Sequence, residues 1–444
     1  MSKNTVYNLI SSYAPEIDLR LHTPAHQGTA NGDGYFPEKV YLYDRPYLTP
    51  DKLVETELAF SRAYGSRQTF FLTGGTTQGV LATCSALARR CSRVALGRNC
   101  HVSFINGIIL TGLEPMYIPS AGAVPTAAEV LAGLEGPASG AGAVVLADPC
   151  YEGFRIDLAA VVSYCRQRGS ALIVDEAHGT HFPFTAGAPE SALVTGGDIV
   201  LHSLHKYLGS FVQTGLLHLP ENSLLSPEEL RSSLELFEST TRSNLLVLSI
   251  EEALERAFSP GGRELFSEAA RRCELLREKI RPWGSCLSFR ESSAAADPLK
   301  LFLTSDRAEG NEIGDLFYSR RIDNELCNAE GTLFLFSLRN GEEDFSRFSA
   351  ALNEVHNALS VRKPLEGKRK STRFNLPKMR RLPREAFFAA RQTPLQLGQA
   401  IGRINCSNYV KCPPGIPALI PGEEITAWHL EVLPKDMPIR VLEE

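Results

Sequence analysis

The sequence predicts an α/β protein built on a doubly wound, mostly parallel sheet. Short apolar, β-rich runs alternate with helical patterns through the first half of the chain. Runs such as Ala143-Val144-Val145-Leu146-Ala147 and Ala171-Leu172-Ile173-Val174 are apolar at every position, as strands covered on both faces are. They stop abruptly at polar residues, the mark of strands that deliver side chains to a site at their carboxyl ends.

Residues 1–55 mix Pro, Gly and aromatics around a short helical start at 6–13 and read as an arm rather than a domain. Within it, His22-Thr23-Pro24-Ala25-His26-Gln27-Gly28 is a polar turn, either a surface loop or a reach toward another subunit's site. From Thr49 the pattern turns helical on Leu53, Leu58 and Tyr64. A strand over 69–72 runs into Thr73-Gly74-Gly75-Thr76-Thr77-Gln78-Gly79, and a helix is predicted over 80–88. Backbone N–H groups, the helix dipole and two hydroxyls there suit a phosphate, although a plain helix cap gives the same pattern. Arg93-Val94-Ala95-Leu96 is a short strand, and Gly97-Arg98-Asn99-Cys100-His101 leads to a helix over 103–113. His101 either stacks on a flat heteroaromatic ring or merely caps its helix. The buried strand from Ala143 ends at Asp148-Pro149, and an amphipathic helix follows over 157–168.

The next two strands organise the whole chain. One ends in Asp175-Glu176-Ala177-His178-Gly179 and the other in Ser203-Leu204-His205-Lys206. Taken singly, an Asp at a strand end is an ordinary turn residue and a loop Lys is ordinary surface. Together they suit pyridoxal 5'-phosphate, because the Lys amine forms a Schiff base with its aldehyde and the carboxylate keeps its pyridine nitrogen protonated.

Beyond Lys206, residues 215–219 read as a returning strand and 227–257 as long helical patterns, broken at Ser259-Pro260-Gly261-Gly262. Residues 263–360 alternate helices with strands at 300–303 and 332–336. A basic run over 363–381, interrupted by Pro364, Gly367 and Pro377, reads as a solvated linker. The remainder holds a helical stretch near 394–402 and the turn Pro413-Pro414-Gly415-Ile416-Pro417. The division expected is an arm (1–55), a large cofactor-binding domain (56–258), a smaller α/β domain (259–362), and a linker with a C-terminal domain (363–444).

Composition narrows the classes. The 444 residues are 43% hydrophobic, enough for sizeable cores, and carry a dispersed net charge of −5 that gives no reason to expect nucleic acid or an anionic membrane as partner. The ten cysteines are scattered without a CxxC pair, which fits reduced thiols in a cytoplasmic enzyme. No secretory leader or membrane-spanning run is apparent, and no metal site is expected.

Taken together, Asp175-Glu176-Ala177-His178-Gly179, Ser203-Leu204-His205-Lys206, Arg98-Asn99-Cys100-His101, Pro413-Pro414-Gly415-Ile416-Pro417 and Pro421-Gly422-Glu423 resemble the ornithine/lysine/arginine decarboxylase family of fold-type I pyridoxal-phosphate enzymes, in a compact form without the amino-terminal wing. Pro383-Arg384-Glu385-Ala386-Phe387-Phe388 is similar to that family's C-terminal domain. The resemblance implies that Lys206 holds the cofactor, Asp175 meets its pyridine nitrogen and His101 stacks on its ring. It places Gly75, Thr76, Thr77, Ser203 and His205 around the phosphate, with Ala177 and His178 beside the ring. His26, Asp44, Arg45, Thr240 and Ser243 would lie toward the substrate, the last two near a neighbouring subunit's site in a homodimer or assembly of dimers. The chain departs from the family at Gln27, Arg45, Asn244 and Cys412; Arg45 stands where a second acid is expected and bears on whether a basic substrate is taken.

The activity implied is decarboxylation of an amino acid, foremost arginine, lysine or ornithine, by Schiff-base exchange at Lys206, with Lys206, His205 or His178 returning the proton. The same core residues also serve an aminotransferase or a β/γ-lyase, and a non-catalytic regulatory subunit would keep the fold.

Overall fold

A computed structural model describes residues 50–122, 124–291, 296–366, 378–412 and 414–443, with residues 40 and 376 in isolation. The turn at His22–Gly28, together with His26, Asp44 and Arg45, lies outside the described residues.

Seven strands form the central sheet: β1 (Gln68–Leu72), β2 (Arg93–Gly97), β3 (Glu114–Ile118), β4 (Ala143–Ala147), β5 (Ala171–Asp175), β6 (Ile199–Ser203) and β7 (Gly215–Leu219). Their order is β1-β7-β6-β5-β4-β2-β3. Pairing is parallel from β3 across to β6, whereas β7 runs antiparallel to both β6 and β1. The expected mostly parallel sheet is therefore present, with the returning strand as its one reversed member.

Both faces are covered, which is why the strands carry no polar alternation. Along β5, Ala171 and Ile173 point into a core shared with helices Gly75–Leu87 and Val102–Thr111, while Leu172 and Val174 point into the opposite core with helices Ala127–Glu135 and Leu158–Arg168. Period-two alternation thus persists as a choice between two apolar layers. Toward β1 and β7, helices Pro50–Tyr64, Asn244–Phe258 and Pro260–Ile280 complete the second layer through Phe60, Val247 and Phe266.

The break expected at Ser259-Pro260-Gly261-Gly262 is a corner between two helices. Ser259 ends one helix and its side chain caps the next by accepting from the Gly262 N–H. A second sheet of β8 (Ser288–Phe289), β9 (Lys300–Thr304), β10 (Leu326–Cys327) and β11 (Thr332–Leu335) follows in the order β10-β11-β9-β8, antiparallel throughout. Helix Glu342–Ser360 packs on it through Phe345 and Phe348, against Phe317, Phe334 and Phe336.

The C-terminal segment adds β12 (Gln392–Gln396), β13 (Tyr409–Lys411), β14 (Ile416–Leu419) and β15 (Pro438–Leu442). Here the helical reading of 394–402 is corrected. Residues 392–396 pair with β15 in a register that sets Pro394 opposite Arg440, and only a single 3-10 turn, Leu397–Gln399, follows. The long-range partner supplies backbone hydrogen bonds that a local pattern cannot foresee. All ten cysteines are free, and no helix among the described residues is long and apolar enough to cross a membrane.

Leu201, fully buried on β6 with neighbours from both flanking strands, tests this arrangement. Leu201→Ala is expected to lower unfolding stability by ~2–5 kcal/mol, read from chemical denaturation midpoints. A loss below about 0.5 kcal/mol, the range of surface changes, would contradict the packing described.

Candidate active site

Five strand ends, those of β1, β2, β4, β5 and β6, open on one cavity of about 1420 Å³, bounded on its far side by β10 and by the C-terminal segment. At the first, helix Gly75–Leu87 begins five residues earlier than the sequence pattern indicated, so Gly75, Thr76 and Thr77 form its first turn and line the cavity. Gly75 takes φ +70° with its N–H on the Gln213 carbonyl at 2.9 Å. Gly215 on β7 passes so close that an added Cβ would sit 3.1 Å from the Thr76 nitrogen. The turn is an anion cradle by its backbone.

At the end of β2, His101 caps its helix as one of its two readings has it. Its Nδ1 accepts from the Ser103 N–H at 3.2 Å and bonds the Ser103 hydroxyl at 2.8 Å, capping helix Val102–Thr111, and the ring also lines the cavity. Burial lowers its pKa, aided by the Lys206 cation and opposed by Asp175. The ring is therefore neutral, with the proton on Nε2.

β5 delivers two adjacent acids to different tasks. Asp175 faces the cavity and accepts from the Ala177 N–H at 3.2 Å. Glu176 turns inward, accepting from the Ser191 hydroxyl, the Ala192 N–H at 2.9 Å and His202 Nε2 at 2.7 Å. His202 Nδ1 in turn meets His218 at 3.1 Å, which meets Thr69 at 2.8 Å. That chain fixes the backbone immediately after Asp175.

β6 ends in Ser203, clasped by Thr180 through its N–H at 3.0 Å, and a one-turn helix Leu204–Tyr207 follows. Lys206 Nζ lies 2.8 Å from His178 Nε2. Burial lowers the Lys206 pKa to about 8, with Asp175 opposing the shift and Lys300 adding to it. Burial, then the Lys206 charge, holds His178 well below its ordinary value, so its imidazole is neutral. His205 places Nδ1 on the Thr214 carbonyl at 3.2 Å, which leaves Nε2 for a ligand.

Other residues come to the site unannounced by the sequence. Asp148 is buried, binds Arg155 at 2.6 Å and the Ile156 N–H at 2.7 Å, and carries Pro149–Glu152 as a lip of the cavity. Asp297 accepts from His181 Nε2 and the Tyr207 hydroxyl, each at 3.0 Å, and so ties the second sheet's edge to the residue after Lys206. Lys300 donates to the Tyr151 carbonyl at 2.6 Å, and the Tyr151 hydroxyl donates to Glu325. The abrupt end of β4 at Asp148-Pro149 was the available signal for the lip; nothing local marks Asp297, Lys300 or Glu325. Thr240 and Ser243 fall between helices Pro227–Leu234 and Asn244–Phe258 and do not line the cavity of their own chain.

These residues fit pyridoxal phosphate. The cavity offers a helix start with hydroxyls for a dianion, a lysine whose burial favours the nucleophilic amine, a carboxylate, and a neutral flat imidazole. His178 Nδ1 is buried without a hydrogen-bond partner among the described residues, as a group awaiting a polar ligand would be. In the cofactor-free protein, amine-reactive labelling of the Lys206 peptide should reach half its maximal rate near pH 8. Ordinary lysines titrate near ~10.4. A Lys206 rate still climbing with those of surface lysines above that value would contradict the site's electrostatics.

A match to the Orn/Lys/Arg decarboxylase major domain spans residues 51–297, more than half of the chain, and a match to that family's C-terminal domain spans 368–433. Arginine decarboxylase of Bacillus subtilis is 26% identical over 462 residues, covering 97% of this chain and 93% of that protein. In architecture the chain is similar to lysine decarboxylase A from Pseudomonas aeruginosa, with TM-score 0.79 at 17% identity over 98% of this chain and 80% of the other. It is also similar to Sphingomonas wittichii serine palmitoyltransferase, with TM-score 0.58 at 17% identity over 71% of this chain and 78% of that one. The chain belongs to the Orn/Lys/Arg decarboxylase family and is a pyridoxal-phosphate-dependent amino-acid decarboxylase of the fold-type I architecture.

Proposed function

We propose that the chain removes the α-carboxyl group of arginine or lysine to give the corresponding amine, using Lys206 to hold the cofactor and Asp175 to face its ring nitrogen. The observation that carries the reading is the convergence of Asp175, His178 and Lys206 on one wall of the cavity with His101 on another. Pyridoxal phosphate, when bound, supplies an aldehyde for the substrate's amino group and a sink for the electron pair left as carbon dioxide departs.

The chain's own residues do the rest. Thr76, Thr77 and the Ser203 hydroxyl donate toward the phosphate, with Gly75 and His205 beside it. His101 packs against the ring, and Ala177 leaves room beside Asp175. Asp175 keeps a negative charge where a protonated ring nitrogen needs one. Lys206 and His178 share a hydrogen bond, and an amine that titrates near pH 8 can both release a proton and return it to the substrate's α-carbon. Glu152 and Glu431 in the cavity lining favour a cationic tail over an anionic one. The names of the relatives, arginine decarboxylase and lysine decarboxylase, support the same substrate class.

The active unit is a homodimer or assembly of dimers acting in the cytoplasm, with the 1–55 arm and the segment of Thr240 and Ser243 turned toward the partner's site. The arm, the 56–258, 259–362 and 363–444 divisions remain the working domain plan. His26, Asp44 and Arg45 belong to the substrate end in this reading.

Purified enzyme is expected to release carbon dioxide from arginine or lysine in a panel that also holds ornithine and glutamate; keto acid or ammonia in its place would overturn the assignment. Lys206→Ala should abolish release together with the bound cofactor's visible absorbance. Asp175→Asn should retain cofactor and lose at least about 100-fold in kcat, the low end of what a positioned ionisable group contributes. Arg45→Asp should shift the ratio of kcat/KM between lysine and glutamate, and an unchanged ratio would remove Arg45 from substrate selection. Sedimentation of the active enzyme as a monomer would remove the dimer.

A further inference from the structure

Residues 414–417 and the Pro421-Gly422-Glu423 turn take no part in the chemistry above, yet the fold presses them onto the site. Arg98, in the loop that ends in His101, is nearly inaccessible, with its side chain 3% exposed, and its partner Glu423 is 0% exposed. The pair is bidentate, Nε to Oε1 at 3.1 Å and an Nη to Oε2 at 3.2 Å. Two more guanidinium N–H groups donate to the Pro417 carbonyl at 2.5 Å and the Ala418 carbonyl at 3.3 Å. A buried ion pair is costly unless every donor is satisfied, and such pairs are best attested as devices that fix a register.

What this pair fixes is the contact between Gly415 and His101. The Val102 N–H, next in sequence to His101, donates to the Gly415 carbonyl at 2.9 Å. Gly415 holds φ +80°, and a Cβ placed on it would stand 2.7 Å from both Cδ2 and Nε2 of the His101 ring. The opposite edge of the ring, Nδ1, is tied to Ser103. The imidazole is thus held at one edge by hydrogen bonds and backed at the other by a bare glycine. Its remaining rotation about χ2, soft in an unconstrained histidine, is removed.

We propose that Gly415 is a positioning residue, and that the Arg98–Glu423 pair locks the C-terminal turn in place so that Gly415 sets the tilt at which His101 meets the cofactor. The proposal rests on the reading of His101 as the residue that packs on the cofactor ring. It gives the C-terminal segment a task in the site beyond closing the cavity, and it explains why a residue without a side chain stands at that point of the turn.

The test is a double-mutant cycle on Gly415→Ala and His101→Ala, read as the dissociation constant of pyridoxal phosphate from the apo-protein and as the visible circular dichroism of the bound cofactor. His101→Ala is expected to weaken cofactor binding by about 2–10-fold, the range of a ring-stacking contact. Gly415→Ala should cause a comparable loss and a changed dichroic band with His101 present, and no further loss in the His101→Ala background. Glu423→Gln, which keeps an oxygen acceptor for Arg98 but drops the charge, should follow the same rule and covers a poorly folding Gly415→Ala protein. Losses that multiply in the double variants, or that are absent with His101 present, overturn the proposal and leave the site reading standing. An unchanged dissociation constant in His101→Ala overturns the stacking role itself and the proposal with it.

Discussion

The parallel pairing of β5 with β6 is the constraint on which the rest depends. Its register sets Asp175 beside Leu201, so both strands finish at nearly the same level and the next turn of chain brings Lys206 back toward Asp175. Ile173, Val174, Val200 and Leu201 are each fully buried, with neighbouring side chains sent to opposite cores. A slip by one residue would exchange the two faces along the whole strand, so the register is held by the full burial of the sheet. The cavity inherits that rigidity, since Asp175, Ser203 and Lys206 stand within a few residues of strand ends rather than on long loops.

The adjacent acids Asp175 and Glu176 show how one backbone alternation separates a cavity-facing carboxylate from a structural one. Successive side chains leave a strand on opposite sides, so one meets the cavity and the other enters the run Glu176, His202, His218 and Thr69 beneath the sheet. Each imidazole in that run can donate in one direction and accept in the other, which satisfies both of its ring nitrogens within the chain. In the cavity, burial drives Lys206 toward the neutral amine, and the Asp175 charge limits how far the shift goes.

Two contacts carry the surrounding sheets into this site. Asp297, at the edge of the four-stranded sheet, accepts from Tyr207, the residue after Lys206, and from His181, three residues after His178. Displacement of that sheet therefore acts on the turns that carry His178 and Lys206 through one carboxylate. Arg98 and Glu423 make the corresponding joint to the C-terminal segment. In each case a charged group is removed from water only where several hydrogen bonds replace it, which makes the joints specific in geometry more than strong in net energy.

The sequence by itself determined the strand–helix alternation, the doubly wound sheet, and the residues that end its strands. Apolar runs stopping at Asp175, Ser203 and His101 are local signals, because a strand buried on both faces must be apolar and a ligand site must not be. Those signals also carried the family resemblance and the cofactor. Tertiary structure alone decided that residues 392–396 form a strand, since β15 is their partner 50 positions away at Gln392 and Leu442 and no short window contains it. It alone decided that Tyr151, Asp297, Lys300 and Glu325 surround the lysine, and that Gly415 backs His101. Their placement follows from the packing of segments distant along the chain, which becomes defined only when the cores that separate them have closed.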